Sequence, residues 1–146
     1  MPQPSPARET FKTNVQTVLT AFSAANPDYC RRVYRARPSS SPDYPCAFID
    51  RVRATATHDS GTRTTTFDGL SFVLMFEGGD NAETALVIDR AADALLDHLS
   101  AYPQMGGTRG IWSTVVIEDE EQEVGDYLFP GLRFTFPDLL EMVGRD

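Results

Sequence analysis

The sequence predicts an α+β fold: a mainly antiparallel four-stranded sheet with helices packed on one face, in the order α-β-β-α-β-β-α. Two segments repeat apolar residues every three or four positions, as amphipathic helices do. Four others alternate apolar and polar residues, as half-buried strands do. No regular strand–helix–strand alternation is present, which argues against a doubly wound sheet. The chain of 146 residues is predicted to form one domain, residues 1–146.

The first helix is predicted to start at Ser5-Pro6, a serine cap followed by a proline at the first helical position. Asn26-Pro27 ends it, because proline disfavours helical geometry in the residue before it. Its apolar stripe consists of Phe11, Val15, Val18, Leu19 and Phe22. Residues of about 27–45, which include RRVYRARPSSSPDYP, show no core-forming period, so they are predicted to form a long exposed loop, in which a short extended piece around Val33-Tyr34 remains open.

A hairpin is predicted next, with its turn at residues 58–62. In its first strand, one face is predicted to carry Phe48, Val52, Ala54 and Ala56, and the other Arg51, Arg53, Thr55 and Thr57. In its second strand, Leu70, Phe72, Leu74 and Phe76 alternate with Ser71, Val73, Met75 and Glu77. These two strands form the strongest hairpin pattern in the chain.

A second helix is predicted from Asp80, with Glu83 completing a capping box. Its apolar stripe is Ala85, Ile88, Ala92, Leu95, Leu99 and Tyr102. Its opposite side carries Asp89, Asp93 and Asp97, which fit either a solvated face or docking to an arginine patch. Two further strands are predicted at 111–117 and 127–136, and a short terminal helix at Pro137-Asp138.

The charge is unevenly distributed along the chain. The net charge is −8, yet residues 1–63 hold nine basic and five acidic side chains, so the rest of the chain carries −12. Such polarity favours contact between a basic and an acidic surface, including head-to-tail contact between copies. The acidic total disfavours nucleic-acid binding as the main task. No apolar run reaches the roughly 20 residues of a membrane span, and the N-terminus does not resemble a secretion signal.

No catalytic motif is recognisable, so the chain is predicted not to be an enzyme and to need no cofactor. The glycine-rich pieces lack phosphate-loop spacing, and His58 and His98 stand in no nucleophile context. Cys30 and Cys46 are predicted to be a reduced, structural pair, since a zinc site needs about four ligands close together.

The most unusual stretch is IEDEEQEV, residues 117–124, here called the acidic segment. It holds five carboxylates and no cation between two apolar runs. A solvated hairpin tip, an ion site and a purposeful negative surface all remain open. Contiguous acids are unlike the alternate ligands of a calcium loop, so no metal site is predicted.

The whole chain then resembles a known family. A leading helix (PARETFKTNVQTVLTAF) and an arginine-bearing loop precede YPCAFIDRVRATA and FDGLSFVLMFEGGDNAETALVIDRAADALLDHL, and the chain closes with IWSTVVIEDEEQEVGDYLFPGLRFTF. In element order, size and ending, it is similar to the tail terminator (tail completion) proteins of long-tailed double-stranded DNA phages and phage-like particles.

The resemblance implies a structural virion protein of the tail–neck region, made in the host cytoplasm. Such proteins form a homo-hexameric ring that caps the tail tube and stops its polymerisation. The ring offers a docking surface to the head-completion (connector) proteins of the neck, and double-stranded DNA passes through it without specific binding. No membrane is involved. The family supplies no active-site residues to carry over.

Two surfaces then acquire hypothetical roles. The carboxylates expected to line the ring's lumen, where they repel DNA phosphates, are Glu118, Asp119, Glu120, Glu121 and Glu123. The residues expected to contact a neighbouring subunit or partner are Arg31, Arg32, Arg35 and Arg37 on one side and Asp89, Asp93 and Asp97 on the other. The alternatives are another neck component, such as a head-closure or adaptor protein, or a small dimeric α+β ligand-binding or regulatory module.

Overall fold

The computed structural model describes residues 7–39, 43–78, 82–103, 112–137 and 141–145. Its helices are α1, Ala7–Ala25, and α2, Ala82–Ser100. The predicted apolar stripe of α1 is confirmed, because all five of its residues are buried. In α2 the buried residues are Ile88, Ala91, Leu95 and Leu99, so the predicted stripe is confirmed only in part. Ala92 is half-buried, and Ala85 and, beyond the helix end, Tyr102 are exposed. The predicted caps at Ser5 and Asp80 lie outside the described residues.

The described strands form one large sheet and one small one. They are β1 (Arg32–Tyr34), β2 (Cys46–Asp59), β3 (Thr62–Met75), β4 (Val116–Asp119), β5 (Gln122–Val124), β6 (Tyr127–Phe129), β7 (Gly131–Phe136) and β8 (Glu141–Arg145). The large sheet has the order β1-β2-β3-β7-β4, and β8 also pairs with β3, beyond the end of β7. Strand β1 is parallel to β2, and the other pairs are antiparallel. Strands β5 and β6 form the two-stranded sheet.

The predicted four-stranded, mainly antiparallel sheet in the order α-β-β-α-β-β-α is therefore wrong: the large sheet is mixed and has more strands. Strand β1 lies in the arginine-rich region, where three residues are too few to show a period. The predicted strand at 127–136 divides at Pro130, which has no N–H to continue a ladder. The predicted strand at 111–117 is instead β4, shifted towards the acidic segment, and Ile111 lies outside the described residues.

The chain end also differs from the prediction. No described residue after Pro137 is helical, and residues 141–145 pair with β3 as β8. Asp138, predicted to open a helix, lies outside the described residues. The helix was predicted from the proline–aspartate start alone. Strand β8 forms because β3 offers it an edge to pair with, and that edge exists only in the tertiary structure.

Strand β3 is the centre of the molecule because its two faces belong to two separate apolar clusters. Leu70, Phe72 and Leu74 pack with the buried residues of both helices. Val73 and Met75 pack on the opposite side, here called the far face, together with Val124 of β5. The predicted alternation along β3 is thus confirmed. The β5–β6 hairpin covers part of the far face, where Phe129 lies 4.7 Å from Tyr44, centroid to centroid.

The predicted β2–β3 hairpin is confirmed, and β8 pairs with the outer half of its second strand. Its turn uses positive φ at Ser60 and Gly61. A register shift at Asp50 places Phe48 in the far-face cluster and Val52 in the helix-side cluster, so the prediction that both share a face is wrong. From Arg53 to His58 every residue is exposed.

Candidate functional site

The acidic segment is folded and is fixed at two points. It runs through β4, a two-residue connection and β5. Gln122 is buried in the middle of it and donates its side-chain amide to the Glu120 carbonyl at 3.3 Å. The Glu120 amide donates to the Gly131 carbonyl at 2.9 Å, which ties the segment to β7. The backbone that carries the carboxylates, here called the ordered base of the segment, is therefore held in place by hydrogen bonds.

Arg133 on β7 neutralises one carboxylate of the segment. Its Nε donates to Glu120, and its Nη1 donates to Asp50 and, at 3.1 Å, to the Ser71 hydroxyl. The hydrogen bond to Glu120, followed by the contacts with Asp50, raises the pKa of the Arg133 guanidinium against the opposing effect of desolvation. Asp50 is the bulge residue of β2, and its side chain reaches the far face at this point. The sequence analysis missed both Arg133 and Asp50.

The other four carboxylates of the segment are exposed. Among the residues that the structure describes, none forms an ion pair with Glu118, Asp119, Glu121 or Glu123. They do not all point the same way. Glu118 is opposite Arg133 in the ladder and so lies on the far face, whereas Asp119 is opposite Leu132 and lies on the helix side.

The arginine-rich loop binds its own chain at three of its four arginines. Arg35 donates to the Thr13 hydroxyl at 2.9 Å and to the Glu9 carbonyl at 2.7 Å, both on α1. Arg32 lies 3.5 Å from Asp43. Within the described part of the chain, only Arg31 of the four has neither an ion pair nor a side-chain hydrogen bond.

Arg37 extends the Arg133 network on the far face. Its guanidinium lies 3.7 Å from the Asp50 carboxylate and 5.1 Å from the centre of the Phe48 ring. It also donates to the Glu123 carbonyl at 3.3 Å. The loop, β2 and the acidic segment are thus joined by Arg37 and Asp50.

The predicted acidic stripe of α2 is exposed along its length. Asp89, Asp93 and Asp97 form no ion pair with any described residue. His98, next to this stripe, lies with Nε2 2.9 Å from the Val18 carbonyl and packs against Phe22 of α1. It therefore joins the two helices.

A cleft of about 470 Å³ lies between the start of α2 and the β5–β6 hairpin. Its walls include the carboxylates of Asp89, Asp119 and Glu121 and the apolar side chains of Ile88 and Leu128. Leu128 and the neighbouring Tyr127 are 64% and 72% exposed, large values for apolar side chains in a hairpin. Across the described ranges, no three His, Cys, Asp or Glu residues are grouped to hold a metal ion.

The two cysteines are free thiols buried in the core. Burial raises the pKa of the Cys46 thiol to about 12 and also raises that of Cys30. Both therefore remain protonated at neutral pH, the unreactive form of a thiol. Neither described helix is both long and apolar enough to cross a bilayer.

Comparison with known proteins gives one likeness to describe. No protein-family model and no curated protein sequence matches the chain. Among solved structures, a chain of the "Virion of native gene transfer agent (GTA) particle" is 15% identical, with a TM-score of 0.48. The match covers 89% of this chain and 93% of that one. A TM-score below 0.5 at this identity establishes neither the fold nor the function of this chain.

Proposed function

We propose that this chain is a structural protein of a phage-like particle that caps the tail tube as a ring. The ring stops tube polymerisation and presents a docking surface to the head-completion proteins of the neck. The sequence resemblance described above supports this role. The structural observation that carries it is the acidic segment: four exposed carboxylates without ion-pair partners among the described residues, held on an ordered base.

The physical argument concerns what the segment does to DNA. Exposed carboxylates repel phosphates over about one Debye length, roughly 8 Å at physiological salt. Such a surface favours the passage of a duplex through a bore, since basic walls would hold the duplex by counterion release. Arg133 and Gln122 fix the base of the segment, so its charges cannot fold away towards a cation of the same chain. The segment suits a bore that DNA crosses without binding.

In the proposed role, the chain acts without chemical catalysis. Its two thiols are buried and protonated, and His98 contacts the Val18 carbonyl and neighbouring rings. Its partners are copies of itself, the tail tube protein and a connector protein. Its place is the virion neck, after assembly in the host cytoplasm.

Tube growth in a purified system tests this proposal. The tail tube protein encoded in the same genome is polymerised with and without this chain, and tube lengths are measured by negative-stain electron microscopy. We expect shorter tubes that each carry a terminal ring and no longer elongate. Binding to the connector without any effect on tube length would favour the alternative, a head-closure or adaptor protein. Binding to neither would contradict the proposal.

A further inference from the structure

The large sheet ends in two unpaired edges of opposite charge. On one side, β1 covers β2 only at residues 46–48, so the outer edge of β2 beyond Asp50 has no partner strand within the described ranges. On the other side, β4 pairs only with β7 among the described strands. The β2 edge carries Arg51 and Arg53 on the far face, and the β4 edge carries Glu118 on the same face. Exposed edges of this kind are templates for pairing with another chain.

We propose that β4 of one copy pairs with β2 of the next copy, so that the sheet continues from subunit to subunit. This inference rests on the proposed ring, for which it names the subunit contact. Because β2, β3, β7 and β4 are successively antiparallel, β4 runs antiparallel to β2. Copies placed side by side in the same orientation therefore bring the two edges together in antiparallel fashion. A repeated head-to-tail contact of this type closes into a ring or extends as a filament.

The hydrogen-bonding groups of the two edges restrict the register. The Glu120 amide donates to β7, so in β4 the alternate residues Ile117 and Asp119 direct their backbone groups outwards. On β2, the Val52 carbonyl accepts from the Arg8 side chain at 3.1 Å, which places this carbonyl on the outer edge. Pairing outward groups with outward groups allows either Asp119 or Ile117 opposite Val52 of the next copy. The proposed contact takes Asp119, because the alternative would bring Asp119 to the Asp50 bulge, where the β2 ladder is interrupted.

This register also matches the side chains. It sets Glu118 opposite Arg53 and Val116 opposite Thr55 on the far face of the continuous sheet. Val116 is 40% exposed in the single chain, and Arg53 has 73% of its side chain exposed despite lying 3.5 Å from Asp68. The pairing covers an exposed valine and gives Glu118 a cation. Arg8, at the Val52 carbonyl, comes next to Asp119 of the neighbour.

The sheet must be staggered for this contact to form. Within one copy, the row of residues that pair across the strands runs from Glu118 through Arg133 and Val73 to Phe48. In the proposed contact Glu118 is opposite Arg53 of the next copy. Such a stagger along the strands is what closes a sheet into a barrel. Strand β1 occupies the β2 edge at residues 46–48 and the Asp50 bulge interrupts the edge next, so the residues beyond the bulge remain for this contact.

Disulfide trapping tests the contact directly. Glu118 and Arg53 would form a non-hydrogen-bonded antiparallel pair, in which Cβ atoms approach closely enough for a disulfide. The double variant Glu118→Cys, Arg53→Cys is oxidised at about 100 μM, with the native thiols left in place because they are buried. The control is Glu118→Cys, Arg90→Cys, since Arg90 is exposed on α2. We expect a ladder of cross-linked species at least tenfold more abundant than in the control.

Charge reversal provides a second readout that needs no cross-link. Arg53→Glu should reduce the assembled fraction in light scattering at least tenfold, and adding Glu118→Arg should restore it. Monomers alone in the cysteine variant, or equal ladders in both variants, would overturn the proposed contact. If either of these results is obtained while wild-type protein still stops tube growth, the proposed contact is wrong but the capping function is retained. Cross-linked rings that leave tube growth unchanged would retain the contact and contradict the function.

Discussion

Arg133 and Glu120 are joined by a hydrogen-bonded ion pair that separates one carboxylate of the acidic segment from the other four. The same guanidinium binds Asp50, so a single arginine links β7, the β2 bulge and the segment. The segment is thus part of the folded sheet and leaves most of its charge in solvent. Its stability and its negative surface can therefore be altered separately.

Removing Arg133 should destabilise the fold. Arg133→Met leaves the Glu120 carboxylate without a cation and the Asp50 carboxylate with Arg37 alone, and only about 20% of the Arg133 side chain is exposed. We expect a loss of about 2 kcal/mol in the free energy of unfolding, less than for a fully buried pair because solvent reaches both acids. Urea denaturation measures it. Glu118→Gln is the matched control, expected within about 0.5 kcal/mol of wild type. Equal effects of the two changes would refute this role for Arg133.

Gly131 should not tolerate a side chain. A Cβ there would lie 3.0 Å from the Glu120 carbonyl oxygen and 3.2 Å from that of Leu74, and backbone on both sides cannot move aside. Gly131→Ala is expected to cost about 2 kcal/mol in thermal or urea unfolding.

Gly69→Ala is the comparison for this change. Its Cβ would meet only the Arg53 Cβ, at an ordinary 3.5 Å. Alanine there should be neutral or stabilise by about 0.5 kcal/mol, because glycine loses more backbone entropy on folding. A Gly131→Ala protein as stable as the Gly69→Ala protein would show that β7 does not approach the acidic segment this closely.

The thiols should be slow to react in the native protein. The pKa of Cys46 is raised from an ordinary 9.0 to about 12 by burial, so about a thousandfold less thiolate is present near neutral pH. Labelling by a thiol reagent should follow global unfolding, whereas urea-unfolded protein should react at both cysteines at once. The pKa of Cys46 is higher in the folded state than in the unfolded state. The stability that its buried, protonated thiol contributes is therefore full below pH 9 and declines towards pH 12. Rapid labelling of Cys46 at pH 7 would contradict its burial.

Two arginines of the loop should behave differently. Arg37→Ala removes contacts with Asp50, Glu123 and Phe48, and we expect a loss of about 1 kcal/mol in unfolding free energy. Arg31→Ala should stay within about 0.5 kcal/mol of wild type, because Arg31 is exposed. The opposite order in urea denaturation would show that the loop is held by other contacts.

Neutralising the exposed acids should affect DNA passage and leave the fold unchanged. The variant Glu121→Gln, Glu123→Gln retains Glu120 for Arg133 and both Glu118 and Asp119 for the proposed subunit contact. Particles carrying it should release DNA more slowly than wild type, with unchanged unfolding free energy. The control Asp93→Asn, Asp97→Asn removes charge from α2 alone. Unchanged release kinetics in the first variant would argue against a lining role.

The parts of the fold that could be predicted from the sequence are those in which apolar residues recur at a regular spacing over a long stretch. The stripe of α1 and the alternation of β3 were predictable, since each buries many apolar residues in one regular element. Strands β1 and β6 have only three residues each, too few to show a period, and Pro130 separates β6 from β7. Strand β8 depends on an edge supplied by β3. Asp50 and Arg133 are 83 residues apart, so no local pattern could join them. The acidic segment could be recognised from the sequence as a run of charged residues, whereas the pairing of Glu120 with Arg133 could not.

A density map of the chain on its natural tail tube is the most direct test of the account. We expect a ring at the tube end in which the acidic segment borders an open bore through Glu121 and Glu123, while Glu118 and Asp119 lie in the contact between subunits. If this segment is instead buried against another protein, or its carboxylates coordinate a cation, the proposed role is contradicted.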